Sequence, residues 1–217
     1  MPPFVNDPIL RDVVDHVLDA GATQVIETGT HLGFTIRYLA ARHADLPMTT
    51  IEARPDFFAA ARTALKKYRN IEQVLGDSSK VLVKRAARFF NGVPFLFLDA
   101  HWEKLPLLDE IRCVARNASD AVILIHDFEV PGRPEFEFDV YGDQIVGLRI
   151  LCEGLAEAKP YAIYLPNSEY IAEYQRLRGA PDRRRMRGTA LVFIGADAVH
   201  AKFREFGGAH FYTRWAA

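Results

Sequence analysis

Residues 25–40 read VIETGTHLGFTIRYLA, and this stretch decides the fold. It begins as a short apolar run that predicts a β-strand and ends with apolar residues at helical spacing. The turn between them contains two glycines, Gly29 and Gly33, and one acid, Glu27, lies at the end of the apolar run. A strand that passes into a helix through so short a turn predicts one β-α unit of a parallel sheet.

The same succession of strand and helix continues along the chain. Runs of apolar residues that are not interrupted by polar ones indicate strands that are buried on both faces. Helical stretches separate these strands, giving five β-α units by about residue 127. We therefore predict an α/β fold: a Rossmann-like, doubly wound sheet of about seven strands with helices on both faces. The sheet is mostly parallel. The later predicted strands are at 161–166 (YAIYLP) and 189–195 (TALVFIG), after the earlier ones at 48–53, 71–77, 93–100 and 121–128.

Composition excludes several classes of protein. The 27 basic and 28 acidic residues nearly cancel, which disfavours nucleic acid or a membrane as a partner. No apolar run approaches the ~18 residues that span a bilayer, and residues 1–22 predict a helix without a signal-peptide layout. Two cysteines, Cys113 and Cys152, fit neither a disulfide framework nor a zinc site. We expect one domain over residues 1–217, soluble and cytoplasmic.

An acid follows or ends each of the first five predicted strands. Ligands of open parallel sheets bind beyond the carboxyl ends of the strands, so this pattern predicts a polar ligand along that edge. Gly29 and Gly33 allow a close approach of the backbone, but they do not form the GxGxxG dinucleotide motif. Before this turn, an acid suits a cationic group such as an α-amino group better than a phosphate. The five acids are Glu27, Glu52, Asp77, Asp99 and Asp127.

Two of these acids have positions that suggest parts of a nucleoside. Glu52 lies 23 residues after Gly29 at the end of the second strand, where a carboxylate accepts hydrogen bonds from both ribose hydroxyls. Asp77, in the sequence GDS, is placed to reach the exocyclic amine of an adenine. Asp77 also suits a simpler role as the N-cap of the following helix.

In order and spacing, the stretches VIETGTHLG, TTIEARP, VLGDSS, FLFLDAHW and ILIHDF resemble the class I S-adenosylmethionine-dependent methyltransferases. The resemblance covers roughly residues 25–128, and the two later predicted strands fit the sheet of this family, which implies that the last strand runs antiparallel. It implies that Glu27 and Gly29 contact the methionine moiety of the cofactor, Glu52 the ribose, and Asp77 with Ser78 the adenine. The implied cofactor-binding set also includes Thr30, Gly33, Ala53 and Asp99.

Two further stretches, LDAHWEKLPLLDEI and IHDFEVPG, resemble the metal-dependent O-methyltransferases, particularly the macrocin-type branch. The resemblance implies that Asp99, His126 and Asp127 bind Mg²⁺ or another divalent metal and are catalytic. His126 departs from the pattern, because magnesium prefers oxygen ligands, whereas an imidazole nitrogen suits the softer transition-metal ions. Without a metal, His126 or His101 is the candidate base for the acceptor hydroxyl.

Three segments after residue 127 carry separate expectations. The acidic and aromatic segment 128–142 is a candidate substrate lid that favours a neutral or cationic small-molecule acceptor. Residues 167–188 form an arginine-rich insertion, whose arginines we interpret as a solvated loop. We expect the aromatic tail, with Phe211, Tyr212 and Trp215, to dock on its own core or on a second subunit, so a homodimer is one of the two expectations for this tail.

The leading hypothesis is methyl transfer from S-adenosylmethionine to a hydroxyl of a small molecule such as a sugar or secondary metabolite. An alternative is a protein that binds S-adenosylmethionine or another nucleoside ligand without catalysis. The histidine at position 126, where the resemblance implies an acid, is the feature that supports this alternative. A nicotinamide-dependent oxidoreductase is disfavoured because neither a GxGxxG motif nor a YxxxK pair is present. An RNA-modifying methyltransferase rests only on the arginine run.

Overall fold

The computed structural model describes residues 7–100, 104–158, 160–178 and 186–216. Twelve strands lie within these ranges. They are β1 (Gln24–Thr28), β2 (Met48–Glu52), β3 (Ile71–Leu75), β4 (Pro94–Leu98), β5 (Ala121–His126), β6 (Phe136–Glu137), β7 (Val140–Tyr141), β8 (Gln144–Ile145), β9 (Tyr161–Pro166), β10 (Met186–Arg187), β11 (Thr189–Ile194) and β12 (Tyr212–Trp215).

Nine α-helices and a 3₁₀-helix lie in the same described ranges. The α-helices are α1 (Pro8–Asp19), α2 (Phe34–Arg42), α3 (Pro55–Leu65), α4 (Ser78–Lys84), α5 (Ala86–Phe89), α6 (Leu107–Asn117), α7 (Leu148–Gly154), α8 (Ser168–Arg178) and α9 (Asp197–Glu205), and the 3₁₀-helix is Gly207–Phe211. In this described part of the chain, no helix has both the length and the apolar character needed to cross a bilayer.

Eight strands form one sheet in the order β12-β9-β11-β5-β4-β1-β2-β3. The five strands from β5 to β3 are parallel to one another, whereas β11 runs antiparallel to both β5 and β9. The predicted Rossmann-like sheet with an antiparallel last strand is therefore confirmed. The eighth strand, β12, pairs antiparallel with β9 at the sheet edge and lies in the tail, where the sequence did not predict a strand.

The central strands are buried on both faces, which places the core in the sheet and the helices on either side of it. Every residue of β2, β4 and β5 is buried. The large side chains Phe95 and Phe97 of β4 are at most 1% exposed. Burying each contributes roughly 1.5–3 kcal/mol relative to exposure. This is why the uninterrupted apolar runs in the sequence predicted parallel strands correctly.

The predicted arginine-rich insertion contains regular structure. Residues 168–178 form helix α8, whose Tyr170, Ile171 and Tyr174 are buried. Interpreting its arginines as part of a solvated loop was therefore wrong for Arg176 and Arg178, which lie on this helix. Arg183, Arg184 and Arg185 lie outside the described residues. The signal that a loop interpretation overlooked is the apolar spacing of YIAEY within a polar stretch.

The segment 128–147 crosses the carboxyl end of the sheet through three short strands. Its backbone is tied to neighbouring elements: the Phe128 amide donates to the Gly188 carbonyl, and the Glu129 amide donates to the Val146 carbonyl. Strand β6 of this segment pairs with β10. Residues 128–142, the predicted lid, thus lie next to the site described below; their closure over a substrate stays a prediction.

Candidate active site

A cavity of about 660 Å³ lies beyond the carboxyl ends of the parallel strands. Its volume is in the range of small-molecule sites, about 300–1,000 Å³. Four of the five strand-end acids line it, and so do most of the other residues that the resemblance implied. These are Gly29, Thr30, Glu52, Ala53, Asp77, Ser78, Asp99, His126 and Asp127. His101 lies outside the described residues.

The turn after β1 takes its shape from close contact with the end of β4. Gly29 has φ +86°, and a Cβ at this position would lie 2.3 Å from the carbonyl oxygen of Asp99. Gly33 has φ +71° and packs its Cα against the Leu65 side chain, away from the cavity lining. Both glycines serve the packing of the turn against the protein itself. Gly29 also lines the cavity, whereas Gly33 does not, and the contact of Gly29 with a ligand stays a prediction.

Glu27 is buried beneath this turn, with only 1% of the residue exposed. Its Oε2 accepts a hydrogen bond of 2.5 Å from Thr50 Oγ1, and Thr50 Oγ1 lies 2.5 Å from Thr30 Oγ1. Burial raises the pKa of Glu27 to about 8, with the carboxylates of Asp99 and Glu52 acting in the same direction. Glu27 is not part of the cavity lining and supports the turn through Thr50 and Thr30, so its contact with the amino group of a ligand stays a prediction.

Glu52 is held at the cavity wall by two main-chain donors. Its Oε2 accepts from the His31 amide at 2.7 Å, and its Oε1 accepts from the Arg54 amide at 2.9 Å. His31 reaches this position with φ +47°, a left-handed conformation that is rare for a residue other than glycine. Each carboxylate oxygen has a second lone pair, so both can still accept a hydrogen bond from a ligand.

The neighbouring wall of the cavity is aromatic. The His31 ring meets the Phe57 ring edge-on, with centroids 4.4 Å apart, and the Arg54 guanidinium lies 4.5 Å from the centre of the same Phe57 ring. All three residues line the cavity. The sequence left His31 without a role and did not single out Arg54 or Phe57, although their place directly after a ligand-binding strand end was a usable signal.

Asp77 combines the two roles that the sequence allowed for it. Its Oδ1 accepts from Ser79 Oγ at 2.7 Å and from the Lys80 amide at 3.2 Å, so it caps α4. The hydrogen bond from Ser79 is the main cause that lowers the pKa of Asp77, and the carboxylate stays ionised at neutral pH. Asp77 also lines the cavity, beside Ser78.

At the other end of the cavity, Asp99, His126 and Asp127 come together. His126 Nδ1 lies 3.4 Å from Asp99 Oδ1 and 3.2 Å from Asp127 Oδ1. Burial alone would lower the pKa of His126, but the two carboxylates more than offset it and raise that pKa to about 10. Asp127 has φ +54°, a strained backbone conformation of the kind found at functional sites.

These three side chains fit a divalent metal ion. Their candidate ligand atoms all lie within 4.8 Å of one another. His126 Nδ1 is buried and has no hydrogen bond of good geometry to a described residue, as expected of an atom that binds something else. One imidazole and two carboxylates suit Mn²⁺ or Fe²⁺ better than magnesium, and the histidine must lose its proton to bind.

Arg187 is a site residue that the sequence interpretation missed. Its Nη1 lies 2.9 Å from Asp139 Oδ1 and 3.2 Å from Asp127 Oδ1, and its Nε lies 3.7 Å from Glu137 Oε2. Arg187 belongs to the run that was interpreted as a solvated loop, and for this residue that interpretation was wrong. Pairing of β10 with β6 carries it to the site, and no local sequence pattern reveals that long-range pairing.

Comparison with known proteins places the fold. No family model matches the chain, and no curated protein matches its sequence. Among solved structures, the chain resembles the O-methyltransferase TomG from Streptomyces achromogenes, which is involved in tomaymycin synthesis and was solved with S-adenosylmethionine. The TM-score is 0.55 and the identity 16%, over 85% of this chain and 79% of TomG.

Two other structures show how widely this fold is used. The [4+2]-cyclase SpnF has a TM-score of 0.54 and 13% identity, over 85% of this chain and 79% of SpnF. EvdMO1 has a TM-score of 0.52 and 16% identity; the match covers 87% of this chain but only 40% of EvdMO1. The chain therefore has the Rossmann-like fold of an S-adenosylmethionine-dependent methyltransferase, a fold that also serves a cyclase.

Proposed function

We propose that this chain is an S-adenosylmethionine-dependent methyltransferase that methylates a hydroxyl group of a small molecule. The observation that carries the proposal is the layout of one cavity. A carboxylate held by two main-chain amides, Glu52, lies on its wall, and the acidic cluster of Asp99, His126 and Asp127 lies in the same cavity. One part suits a nucleoside, and the other suits proton transfer.

The cofactor would be held by the residues that follow β1, β2 and β3. Glu52 accepts from the ribose hydroxyls, and Asp77 accepts from the adenine amine, because both are fixed carboxylates on the cavity wall. Phe57 offers an apolar face beside them. The bound cofactor supplies a methyl group on a positively charged sulfur, which is already activated for transfer.

The reaction itself would take place beside the acidic cluster. The carboxylates of Asp99 and Asp127 raise the pKa of His126 to about 10, which favours a protonated imidazole at neutral pH, so we assign the base to these carboxylates and not to His126. Asp99 and Asp127 can accept a hydrogen bond, and then the proton, from an acceptor hydroxyl that lies against them. A divalent metal bound by these three residues would lower the pKa of that hydroxyl.

The charges around the cluster favour a neutral or cationic acceptor. Among the described residues, five acids line the cavity, against four cations. The acids are Glu52, Asp77, Asp99, Asp127 and Asp139, and the cations are Arg54, Lys104, Arg187 and the protonated His126. An outer groove formed by Pro134, Phe136, Glu137, Phe138 and Arg187 adjoins this end and adds one more acid. A strongly anionic acceptor would meet like charge there. The aromatic side chains of the groove suit an acceptor with an apolar or sugar face.

Calorimetry with S-adenosylhomocysteine and with NAD tests the cofactor. We expect S-adenosylhomocysteine to bind and NAD not to bind; no S-adenosylhomocysteine binding at millimolar concentration would refute the proposal. A methyl-labelled cofactor added with a cell extract then tests transfer. If S-adenosylhomocysteine binds but no labelled product forms with any fraction, the non-catalytic binding protein becomes the better description.

A further inference from the structure

The position of Arg187 is fixed by the main chain on both sides of it. Met186 and Arg187 pair with Phe136 and Glu137, and the Gly188 amide donates to the Glu137 carbonyl. Gly188 also accepts from the Phe128 amide, so closely that a Cβ on Gly188 would overlap the Phe128 carbonyl oxygen. The backbone around Arg187 is thereby attached directly after Asp127, so the main chain of this arginine is held beside the cluster and only its side chain is left to move.

The guanidinium of Arg187 faces a carboxylate oxygen that a metal ion would also use. Asp127 Oδ1 lies 3.2 Å from Arg187 Nη1 and 3.2 Å from His126 Nδ1. The same Nη1 lies 2.9 Å from Asp139 Oδ1, which ties the guanidinium to segment 128–147. Arg187 is thus a permanent positive charge, anchored at two carboxylates, on the edge of the candidate metal site.

Two positive charges at one carboxylate oxygen repel each other, and the repulsion is strong where water is largely excluded. Asp127 is 9% exposed and His126 is 6% exposed, so solvent screens these two groups weakly, whereas the Arg187 side chain is 44% exposed and its charge is partly screened. A divalent ion bound by Asp99, His126 and Asp127 would lie next to the guanidinium. It would have to push Arg187 away from Asp127 before it could bind fully.

We propose that Arg187 is a built-in cation that competes with divalent metal ions for Asp127. In the resting protein, Arg187 neutralises Asp127 and Asp139 and keeps metal affinity low; metal binding requires the guanidinium to leave Asp127. This inference goes beyond the proposed function, because it concerns the resting charge of the site and holds whichever reaction the site performs. The segment 128–147, which carries Asp139, is then linked to metal occupancy through Arg187.

Manganese binding tests the competition without any activity assay. Mn²⁺ is titrated into the purified protein, and free Mn²⁺ is followed by electron paramagnetic resonance. Arg187→Met keeps a long, unbranched side chain and removes the positive charge. We expect this variant to bind Mn²⁺ at least about tenfold more tightly than the wild type. Adding Asp127→Asn to Arg187→Met should abolish that gain, which localises the ion to the cluster.

Arg176→Met is the matched control, because it removes one arginine from an exposed ion pair with Glu173 and changes the net charge equally. It should bind Mn²⁺ as the wild type does. The proposal is overturned if Arg187→Met binds Mn²⁺ within threefold of the wild type or more weakly, or if Arg176→Met tightens binding as much. Failure of S-adenosylhomocysteine to bind would refute the proposed function and leave this result untouched.

A second measurement uses the unchanged chain, in case Arg187→Met does not fold. Phenylglyoxal modifies accessible arginines, and peptide mass spectrometry reports each site. We expect millimolar Mn²⁺ to increase modification of Arg187, because the ion frees the guanidinium from Asp127, and to leave modification of Arg176 unchanged. Equal modification of Arg187 with and without Mn²⁺, under conditions where Mn²⁺ binds, contradicts the competition.

Discussion

Replacing Glu52 by glutamine should weaken cofactor binding sharply while leaving the fold intact. Both oxygens of Glu52 accept from main-chain amides, of His31 at 2.7 Å and of Arg54 at 2.9 Å. A glutamine has one acceptor oxygen and one NH₂ group. In Glu52→Gln, the NH₂ group must therefore face one of these two N–H donors, and the side chain has to turn away from its place on the wall.

The expected size of the effect follows from the hydrogen bonds at stake. A hydrogen bond to a charged acceptor contributes about 1.5–3 kcal/mol, and Glu52→Gln removes the charge and at least one acceptor for a ribose hydroxyl. At about 1.4 kcal/mol per factor of ten, S-adenosylhomocysteine should bind roughly 10- to 150-fold more weakly. Isothermal titration calorimetry at constant pH measures this directly, and circular dichroism checks the fold.

The control for this substitution is Glu157→Gln. Glu157 is an exposed glutamate that pairs with Arg116 on the protein surface, outside the cavity lining. It should leave the affinity for S-adenosylhomocysteine unchanged. If Glu52→Gln, correctly folded, binds S-adenosylhomocysteine within threefold of the wild type, the assignment of Glu52 to the ribose is wrong, and the two amide contacts serve only the turn.

Three further predictions concern the rest of the site. Asp99→Asn and Asp127→Asn should each reduce methyl transfer about 10²- to 10⁴-fold, measured with labelled cofactor, while S-adenosylhomocysteine still binds. Asp77→Ala should lower the free energy of unfolding by about 1 kcal/mol, measured in urea, through loss of the α4 cap, and should also weaken S-adenosylhomocysteine binding. Because Glu27 has a pKa near 8 in the folded chain against 4.5 as its ordinary value, the folded state binds the extra proton between these values. The contribution of Glu27 to the free energy of unfolding is therefore present at low pH and decreases by roughly 1.4 kcal/mol per pH unit as the pH rises. In Glu27→Gln, the free energy of unfolding measured in urea should depend less on pH between pH 5 and 6.5 than it does in the wild type.

Each of these predictions has a result that contradicts it. For the aspartates, the control is Asp143→Asn in the exposed turn between β7 and β8. Transfer at the wild-type rate in Asp99→Asn and Asp127→Asn removes the proposed reaction site. Unchanged S-adenosylhomocysteine affinity in Asp77→Ala limits Asp77 to capping. Parallel pH profiles for Glu27→Gln and the wild type mean that Glu27 is ionised in the fold.

The succession of strands and helices along the chain and the position of the cavity were predictable, because both follow from short-range patterns. Apolar runs separated by helices predict a parallel sheet, and ligands bind at the carboxyl ends of such sheets. Glu52 is the last residue of β2, and Asp77, Asp99 and Asp127 follow their strands, so all four reach the cavity. Glu27 is different: it lies within β1, ahead of the last residue Thr28, and its side chain points into the packed layer.

What the sequence did not predict depends on contacts between distant parts of the chain. Arg187 reaches the site because β10 pairs with β6, some fifty residues away in the chain. The amide of His31 reaches Glu52 only because its backbone adopts a left-handed conformation. Strand β12 depends on the free edge of β9. Pairing partners and single backbone angles of this kind are determined by the assembled structure and leave little trace in local composition.

The two ends of the cavity come from different parts of the chain. Glu52, Phe57 and Asp77 follow consecutive strands in the first third of the sequence, whereas the outer groove is made by residues 134–138 and Arg187. Under the proposed function, the groove can diversify while the nucleoside wall stays constant. A mutant library randomised at exposed positions of 134–138 is therefore expected to retain cofactor affinity in most members and to differ in which alcohols it accepts.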